Sequence, residues 1–424
     1  MNFDDYSESV FSALPYFFAG KGGTVLVTKF TAVMRDPVDP AALRIAADRA
    51  AERYPYLSVT PELRDGKLFL VRNPRPLAVI GTDRPVKLCA PETNGHLHAV
   101  TYTLSRIEIH ALHALYDGTG GNFFRETLLY YYCREVYGDT FETPYGVRLA
   151  GGAISATEYP DPYLNAKLSL PSADAGDVPT PAACYDMADD NVLTETERAC
   201  HILRADEAAF AAFARKNNCS VFGMAALLFA KALARYRTGH APIVLDYPVN
   251  LRMALGAPDA HHSAVGMPTL TVTDELMDLP LDKVGEAVRA DIKSRVSEDS
   301  RRILAAGQIG AYGRMSAAPL PMIASGLRAK YSTVMSPYGI GYIGRIEWGS
   351  LSRYIRYVYS TANYPCRLMC QMNSFGGSFT FAFTQTFSED KYIRALADEL
   401  AKNGIPCEVE LRLSESVGFA DDIV

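Results

Sequence analysis

Along the first half of the chain the apolar positions alternate between helical and strand spacing. After Asp39-Pro40, residues Leu43, Ala46, Ala47 and Ala50 fall on one face at helical intervals, the pattern of a helix with one side buried. Asp suits the N-cap because its carboxylate accepts the free N–H groups of the first turn, and Pro at the first helical position forfeits no bond. Lys67–Arg72 reads as a strand, as do residues 96–102 and Arg106–Leu112, the last two joined by a short turn near Leu104-Ser105. A helix rich in aromatics and leucines is expected over residues 122–136.

The second half repeats this mixed pattern without an exact internal repeat. A helix is expected from about Glu207, capped by Asp206, and another capped by Ser220, with Val221, Met224, Leu227, Leu228 and Ala232 on its apolar face. Residues 242–249 form a strand ending in PVNLR, and 283–296 an amphipathic helix. Residues 354–360, 367–372 and 379–387 read as strands, and Ser388 caps a helix that stops near Gly404.

Between the halves, residues 151–195 are dense in Pro, Gly and Asp, a composition that holds neither a long helix nor a central strand. The expected organisation is an N-terminal half over 1–150, a crossover linker over 151–195 and a C-terminal half over 196–424. At 424 residues with 48% hydrophobic and 21% charged positions, the chain is too long for one ordinary core and about right for two or three domains. The net charge of −6, without a basic run, argues against binding a nucleic-acid backbone. The acidic N-terminus lacks the form of a signal peptide, and the most apolar helical stretch is closed by Lys231. A cytoplasmic protein without a membrane span is therefore expected. The eight cysteines form no CxxC pair, and Cys366 and Cys370 have no partner pair to complete a zinc site.

The chemistry concentrates in IEIHALHALYDGTGG, residues 107–121. Strand alternation ends there, so His113 stands at a strand terminus where a side chain can face a cleft. Imidazole titrates in the range needed to take a proton from a hydroxyl or amine near neutral pH. Asp117, four residues on, can hold the turn or fix the ring, and the glycines allow positive φ or close backbone approach. Spacing alone leaves open that His113 is a structural histidine and DGTGG only a turn.

This stretch resembles the HxxxDG motif of the acyltransferase superfamily of chloramphenicol acetyltransferases, peptide-synthetase condensation domains, plant acyltransferases and bacterial alcohol acetyltransferases. It stands here as Leu112-His113-Ala114-Leu115-Tyr116-Asp117-Gly118. ALRIAADRAAERYPYL, SVFGMAALLFAKALARY followed by IVLDYPVNLR, and STVMSPYGIG agree with the family in order and rough spacing. The closest branch looks like the bacterial alcohol acetyltransferases or the condensation-like one. The resemblance implies an α/β (α+β sandwich) fold of two chloramphenicol-acetyltransferase-like halves in a V around a central tunnel. It implies His113 as general base, with Asp117 and Gly118 structural and Asp117 paired to Arg252. The donor would be an acyl thioester, on coenzyme A or on the phosphopantetheine of an acyl or peptidyl carrier protein, with no metal and no permanent cofactor. The acceptor would be a small alcohol or amine. Thr119, Ser336, Tyr338 and Asn373 are weaker candidates for substrate or oxyanion contacts. Two departures stand out: Leu112 replaces the first His of the condensation-type motif, and Ser336-Pro337-Tyr338 stands where many relatives have Ser-Asn.

Other features are read as structural. His261-His262 lacks an Asp in the fourth place and reads as a polar loop pair. Strand alternation puts His110 on the face opposite His113. His96 and His98 share one strand face without a third ligand, and Trp348 packs. A catalytically silent, carrier-binding relative is the alternative function. Thioester or ester hydrolysis is disfavoured by the lack of a GxSxG elbow.

Overall fold

The computed structural model describes residues 3, 5–9, 12–18, 26–138, 142–144, 146–164, 166, 184–187, 192–193, 197–316, 318–333 and 336–416. Two sheets dominate. The five-stranded sheet runs Ile355–Ala362, Val27–Met34, Arg106–Leu112, His98–Tyr102 and Val79–Gly81. The seven-stranded sheet runs Thr269–Val272, Ile243–Asp246, Tyr338–Ile346, Leu368–Phe375, Ser378–Gln385, Glu197–Asp206 and Cys407–Ser416.

Each sheet has its own core. In the N-terminal core, helix Pro40–Arg53 buries Leu43, Ala46, Ala47 and Ala50 beside Phe124 and Leu128 of helix Gly118–Tyr137. Asp39 starts the first helix as expected, its Oδ1 accepting from Ala41 N at 2.8 Å and Ala42 N at 3.1 Å. In the C-terminal core, helix Val221–Ala234 is buried nearly all round and packs with helix Lys391–Lys402. No single helix among the described residues is long and apolar enough to cross a membrane.

The division into halves differs from the sequence expectation in two ways. Ile355–Ala362, from the C-terminal half, pairs antiparallel with Val27–Met34 in the N-terminal sheet, Tyr359 opposite Thr31. Leu320, Ile323 and Leu327 of helix Leu320–Thr333 also join the N-terminal core. A strand edge left open by one half is thus covered by the other, as edge pairing demands. The expected linker is also not loose from residue 151. Glu158 is buried and accepts from Arg53 at 2.7 Å, Tyr56 Oη at 2.7 Å and Ser155 N at 3.0 Å. Buried carboxylates persist only when bonded in this way, and these bonds pin the segment to the N-terminal half. Most of residues 165–191 lie outside the described residues.

Smaller differences have local causes. The strand expected over 242–249 is two, Ile243–Asp246 and Val249–Asn250, because Pro248 has no N–H for the ladder. The last helix begins at Lys391 behind Asp390, not at Ser388, and ends before Gly404 at φ 70°. Helix Glu298–Ser316, long and poorly amphipathic, has no expected counterpart.

Candidate active site

Three residues meet because of how the strand Val27–Met34 begins. Its neighbours end level with it: Leu112 stands opposite Val27, and Ala362 opposite Thr28. His113 and Tyr364 therefore leave the sheet on either side of the same strand end. His113 N donates to Leu26 O at 2.7 Å, and Val27 N donates to Asn363 Oδ1 at 2.6 Å. Leu26 N donates to Tyr16 O at 3.3 Å, which brings the N-terminal segment to the same place.

The result is a caged imidazole. His113 is 3% exposed. One ring face stacks on Tyr16, with 4.3 Å between centroids and 8° between planes. Its Nε2 lies 2.5 Å from Tyr364 Oη. Nε2 accepts from the phenol when the proton is on Nδ1 and donates to it in the other tautomer, and only the first form offers a base at Nε2. Burial pushes the His113 pKa below the ordinary histidine value, and the Asp117 charge opposes that only in part. The ring is thus a neutral base at neutral pH.

Asp117 holds the turn. Its carboxylate receives Arg252 through both ends of the fork, Nη2 to Oδ1 at 2.7 Å and Nη1 to Oδ2 at 2.9 Å. It also caps the helix Gly118–Tyr137 by accepting from Gly120 N at 2.8 Å, and accepts from Ala264 N at 3.1 Å. Burial acts to raise its pKa, but the Arg252 charge and these bonds outweigh it and hold the carboxyl low. Arg252, 1% exposed, donates further to Ala260 O and His262 O at 2.8 and 2.9 Å. Such a bidentate, fully bonded pair is the arrangement in which burying two charges is tolerated.

The glycines act by close approach. None of Gly118, Gly120 and Gly121 has positive φ. A Cβ on Gly120 would stand 2.0 Å from His261 O, and one on Gly121 would stand 2.7 Å from the Tyr116 ring, whereas one on Gly118 would only touch Ile343 at 3.9 Å.

His113 and Asp117 open onto a cavity of about 290 Å³ at the seam, with Thr119 and Tyr16 on one side and Asp246, Ser336, Tyr338 and Met369 on the other. The Ser336 hydroxyl is committed to Val244 O at 2.5 Å, and its N–H to Asp246 Oδ2 at 2.9 Å. Burial raises the Asp246 carboxyl to about 6. Tyr338 points its ring toward Tyr185 in the C-terminal core. Asn373 donates to Val358 O at 3.1 Å, tying the two sheets together away from the cavity lining.

The His261-His262 pair is not an ordinary loop pair. Both rings are 2% exposed and sit in the seam. His261 Nδ1 bonds Leu115 O at 2.9 Å, inside the motif turn, and His262 Nε2 lies 3.0 Å from both Glu8 oxygens. Burial would depress His262, but the Glu8 and Asp161 charges raise it to about 9, so it is a cation paired with Glu8. Glu8, His261 and His262 bring three ligand atoms within 4.8 Å. The two rings lie 4.0 Å apart at 33°, and His262 Nε2, with its proton held against Glu8, offers no lone pair to an ion in that state. His110 is buried against Thr101 Oγ1 at 3.0 Å, His96 bonds Arg75 O at 2.9 Å, and Trp348 packs near Phe375. All eight cysteines are free thiols.

No protein-family model and no curated protein sequence matches the chain. Solved structures do. Polyketide synthase associated protein 5 of Mycobacterium tuberculosis matches at TM-score 0.62 and 15% identity, over 95% of this chain and 98% of that one. TRI101 of F. graminearum, solved with coenzyme A and deoxynivalenol, matches at 0.62 and 12%, over 96% and 99%. The chain has the chloramphenicol-acetyltransferase-like fold. TRI3 trichothecene 15-O-acetyltransferase of Fusarium sporotrichioides superposes on this fold at 0.63 and 10% identity, over 94% and 96%.

Tyr16, Tyr364 and Glu8 were missed by sequence reasoning. They lie 97 residues before, 251 after and 105 before His113 in the chain, and none belongs to a recognisable motif. The one available signal was negative: a His at a strand end needs partners from elsewhere.

Proposed function

We propose that the protein transfers an acyl group from a thioester to a hydroxyl or amine, with His113 as general base. One observation carries this reading: a buried, neutral imidazole presents Nε2 at the cavity between the halves and already holds a hydroxyl there, that of Tyr364 at 2.5 Å. An acceptor hydroxyl in the place of the phenol is positioned to lose its proton to Nε2 while its oxygen attacks the thioester carbonyl. The tetrahedral intermediate then collapses, the C–S bond breaks, and the proton passes from Nε2 to the departing sulfur. Holding both substrates in one cavity removes the need for an acyl-enzyme. The Asp117–Arg252 pair keeps the turn rigid and does not itself exchange protons. The donor is an acyl thioester of coenzyme A or of a carrier-bound phosphopantetheine, and the motif resemblance to alcohol acetyltransferases favours a small alcohol as acceptor.

A second reading is a catalytically silent, carrier-binding module. What favours it is the same contact, because Tyr364 occupies the nitrogen that a base must offer. Free-thiol release from acetyl-CoA separates the two. Thiol appearing only when an alcohol or amine is present supports transfer. Thiol without acceptor indicates hydrolysis, and none with either coenzyme A or carrier-bound donors indicates a silent module.

A further inference from the structure

The cavity wall contributed by the N-terminal half holds a cation that the protein leaves unpaired. Arg125, in the helix Gly118–Tyr137, is 3% exposed and lines the cavity with Phe30, Ile109 and Tyr116. Among the described residues its Nε and Nη2 are sealed from solvent without a hydrogen-bond partner. The guanidinium carbon sits 3.9 Å from the centroid of the Phe30 ring, a favourable contact that leaves the N–H edges unsatisfied.

The other buried or half-buried cations around the site are matched. Arg252 has Asp117 at 2.7 Å, Arg53 has Glu158 at 2.7 Å and Lys29 has Glu108 at 3.7 Å. Arg125 feels the charge of Glu126, but consecutive helix residues point in different directions, and no ion pair joins them. Burial lowers the Arg125 pKa to about 10, so the side chain is still charged at neutral pH. An unpaired guanidinium beside an open cavity is costly to keep, and an anion arriving from outside relieves that cost.

We infer that Arg125 is an anion-recognition residue, and that a substrate of this cavity carries a carboxylate on a short apolar body. The inference rests on the acyl-transfer reading for what happens to that substrate, but not for its binding. Phe30 covers one face of the guanidinium, so the partner approaches in the plane of the fork, as a carboxylate does. Phe30 and Ile109 offer the apolar wall for the body of the ligand. Near-complete burial favours a small terminal group over a bulky nucleotide. The carboxylate has two possible sources, a hydroxy-acid acceptor or the far end of a dicarboxylic acyl chain.

Isothermal titration tests this without turnover. One arm compares 4-hydroxybenzoate and 6-hydroxyhexanoate with their methyl esters. The other compares malonyl- and succinyl-coenzyme A with acetyl- and butyryl-coenzyme A. In one arm the acids should bind about 10–100-fold more tightly than their neutral counterparts, the range of a charge-assisted hydrogen bond. Arg125→Gln should erase that gap and leave the neutral ligands unchanged. Arg125→Met, which keeps bulk against Phe30, repeats the comparison if the amide variant does not fold. The arm that shows the gap names the source of the carboxylate. Equal binding of acids and neutral analogues in both arms, or a gap that survives removal of the guanidinium, overturns the proposal. Acids bound through Arg125 with no acyl transfer would refute the transfer reading and leave the anion site standing.

Discussion

Tyr16 lies flat against His113, its ring 8° from parallel to the imidazole at 4.3 Å. Tyr16 Oη is in turn 2.6 Å from Ser263 Oγ, beside His262. The N-terminal segment therefore fixes the plane of the base from one side while Tyr364 fixes its edge from the other. Tyr16→Ala removes both the stack and the tether, whereas Tyr16→Phe removes only the tether. We expect the alanine variant to lose about tenfold or more in kcat, since a small misplacement of a reacting group is costly, and the phenylalanine variant to keep most of it. Steady-state kinetics on the two variants check this, and equal losses would mean that the stack is irrelevant.

His113→Ala should lower turnover by about 10²–10⁴-fold, the usual contribution of a positioned base. Turnover within a factor of a few of the native protein would remove His113 from the mechanism.

Asp117 and Arg252 bridge the halves through a fully buried fork. Truncating one partner strands the other charge, so Asp117→Asn should cost about 3–5 kcal/mol of stability and reduce activity with it. Arg252→Lys keeps the charge but cannot reproduce the two parallel bonds, and should recover little. Denaturant unfolding measures both, and an Asp117→Asn protein as stable as the native one would contradict the geometry.

How much of this was legible beforehand depended on whether the information was local. Asp39-Pro40, Ser220 and Asp206 announce helix starts because a cap is written within four residues. Asp117 was legible as part of HxxxDG, and its link to Arg252 through the family resemblance. Its second role, capping the helix that begins at Gly118, was written in the same stretch but passed over. Tyr364 and Tyr16 were not legible, because they reach His113 only through strand pairing at Val27, and pairing between distant strands leaves no local pattern. The swapped strand Ile355–Ala362 shows the same limit: its alternation marks a strand without saying which sheet it completes. His261-His262 reads as a polar loop pair because two adjacent histidines suggest solvent, and only Glu8, over 250 residues away, makes their burial affordable.

The Glu8–His262 pair should make stability fall on the alkaline side. The His262 pKa is raised in the folded protein to about 9 from an ordinary 6.5, so the folded state holds its proton more tightly than the unfolded state. The contribution is fully present below about 6.5 and is lost as pH rises through about 9. The melting temperature should therefore drop between pH 7 and pH 10 by more in the native protein than in Glu8→Gln, which has no carboxylate to hold the proton. Identical pH dependence in the two proteins would refute the pairing.

Tyr364→Phe tests the contact at the base itself. In the tautomer with the proton on Nδ1, the one a base at Nε2 requires, the phenol donates to Nε2. In that form the bond favours neutral His113 over the imidazolium, the same direction in which burial lowers the pKa. Removing the hydroxyl should raise the His113 pKa, so the acid limb of kcat/KM should move up by about half to one pH unit, the equivalent of one ordinary hydrogen bond. Loosening the cavity would also hydrate the ring and raise its pKa, so the shift is assigned to the lost bond only in a variant whose melting temperature stays near that of the native protein. The same substitution also distinguishes the two readings of the site. If Tyr364 merely holds the acceptor's place, the plateau should be unchanged or higher in the phenylalanine variant, since the acceptor no longer competes with a phenol. If the phenol silences the base, transferase activity should appear only in the variant. An acid limb that does not move, at full activity, would mean that Tyr364 and His113 are not bonded in the working protein.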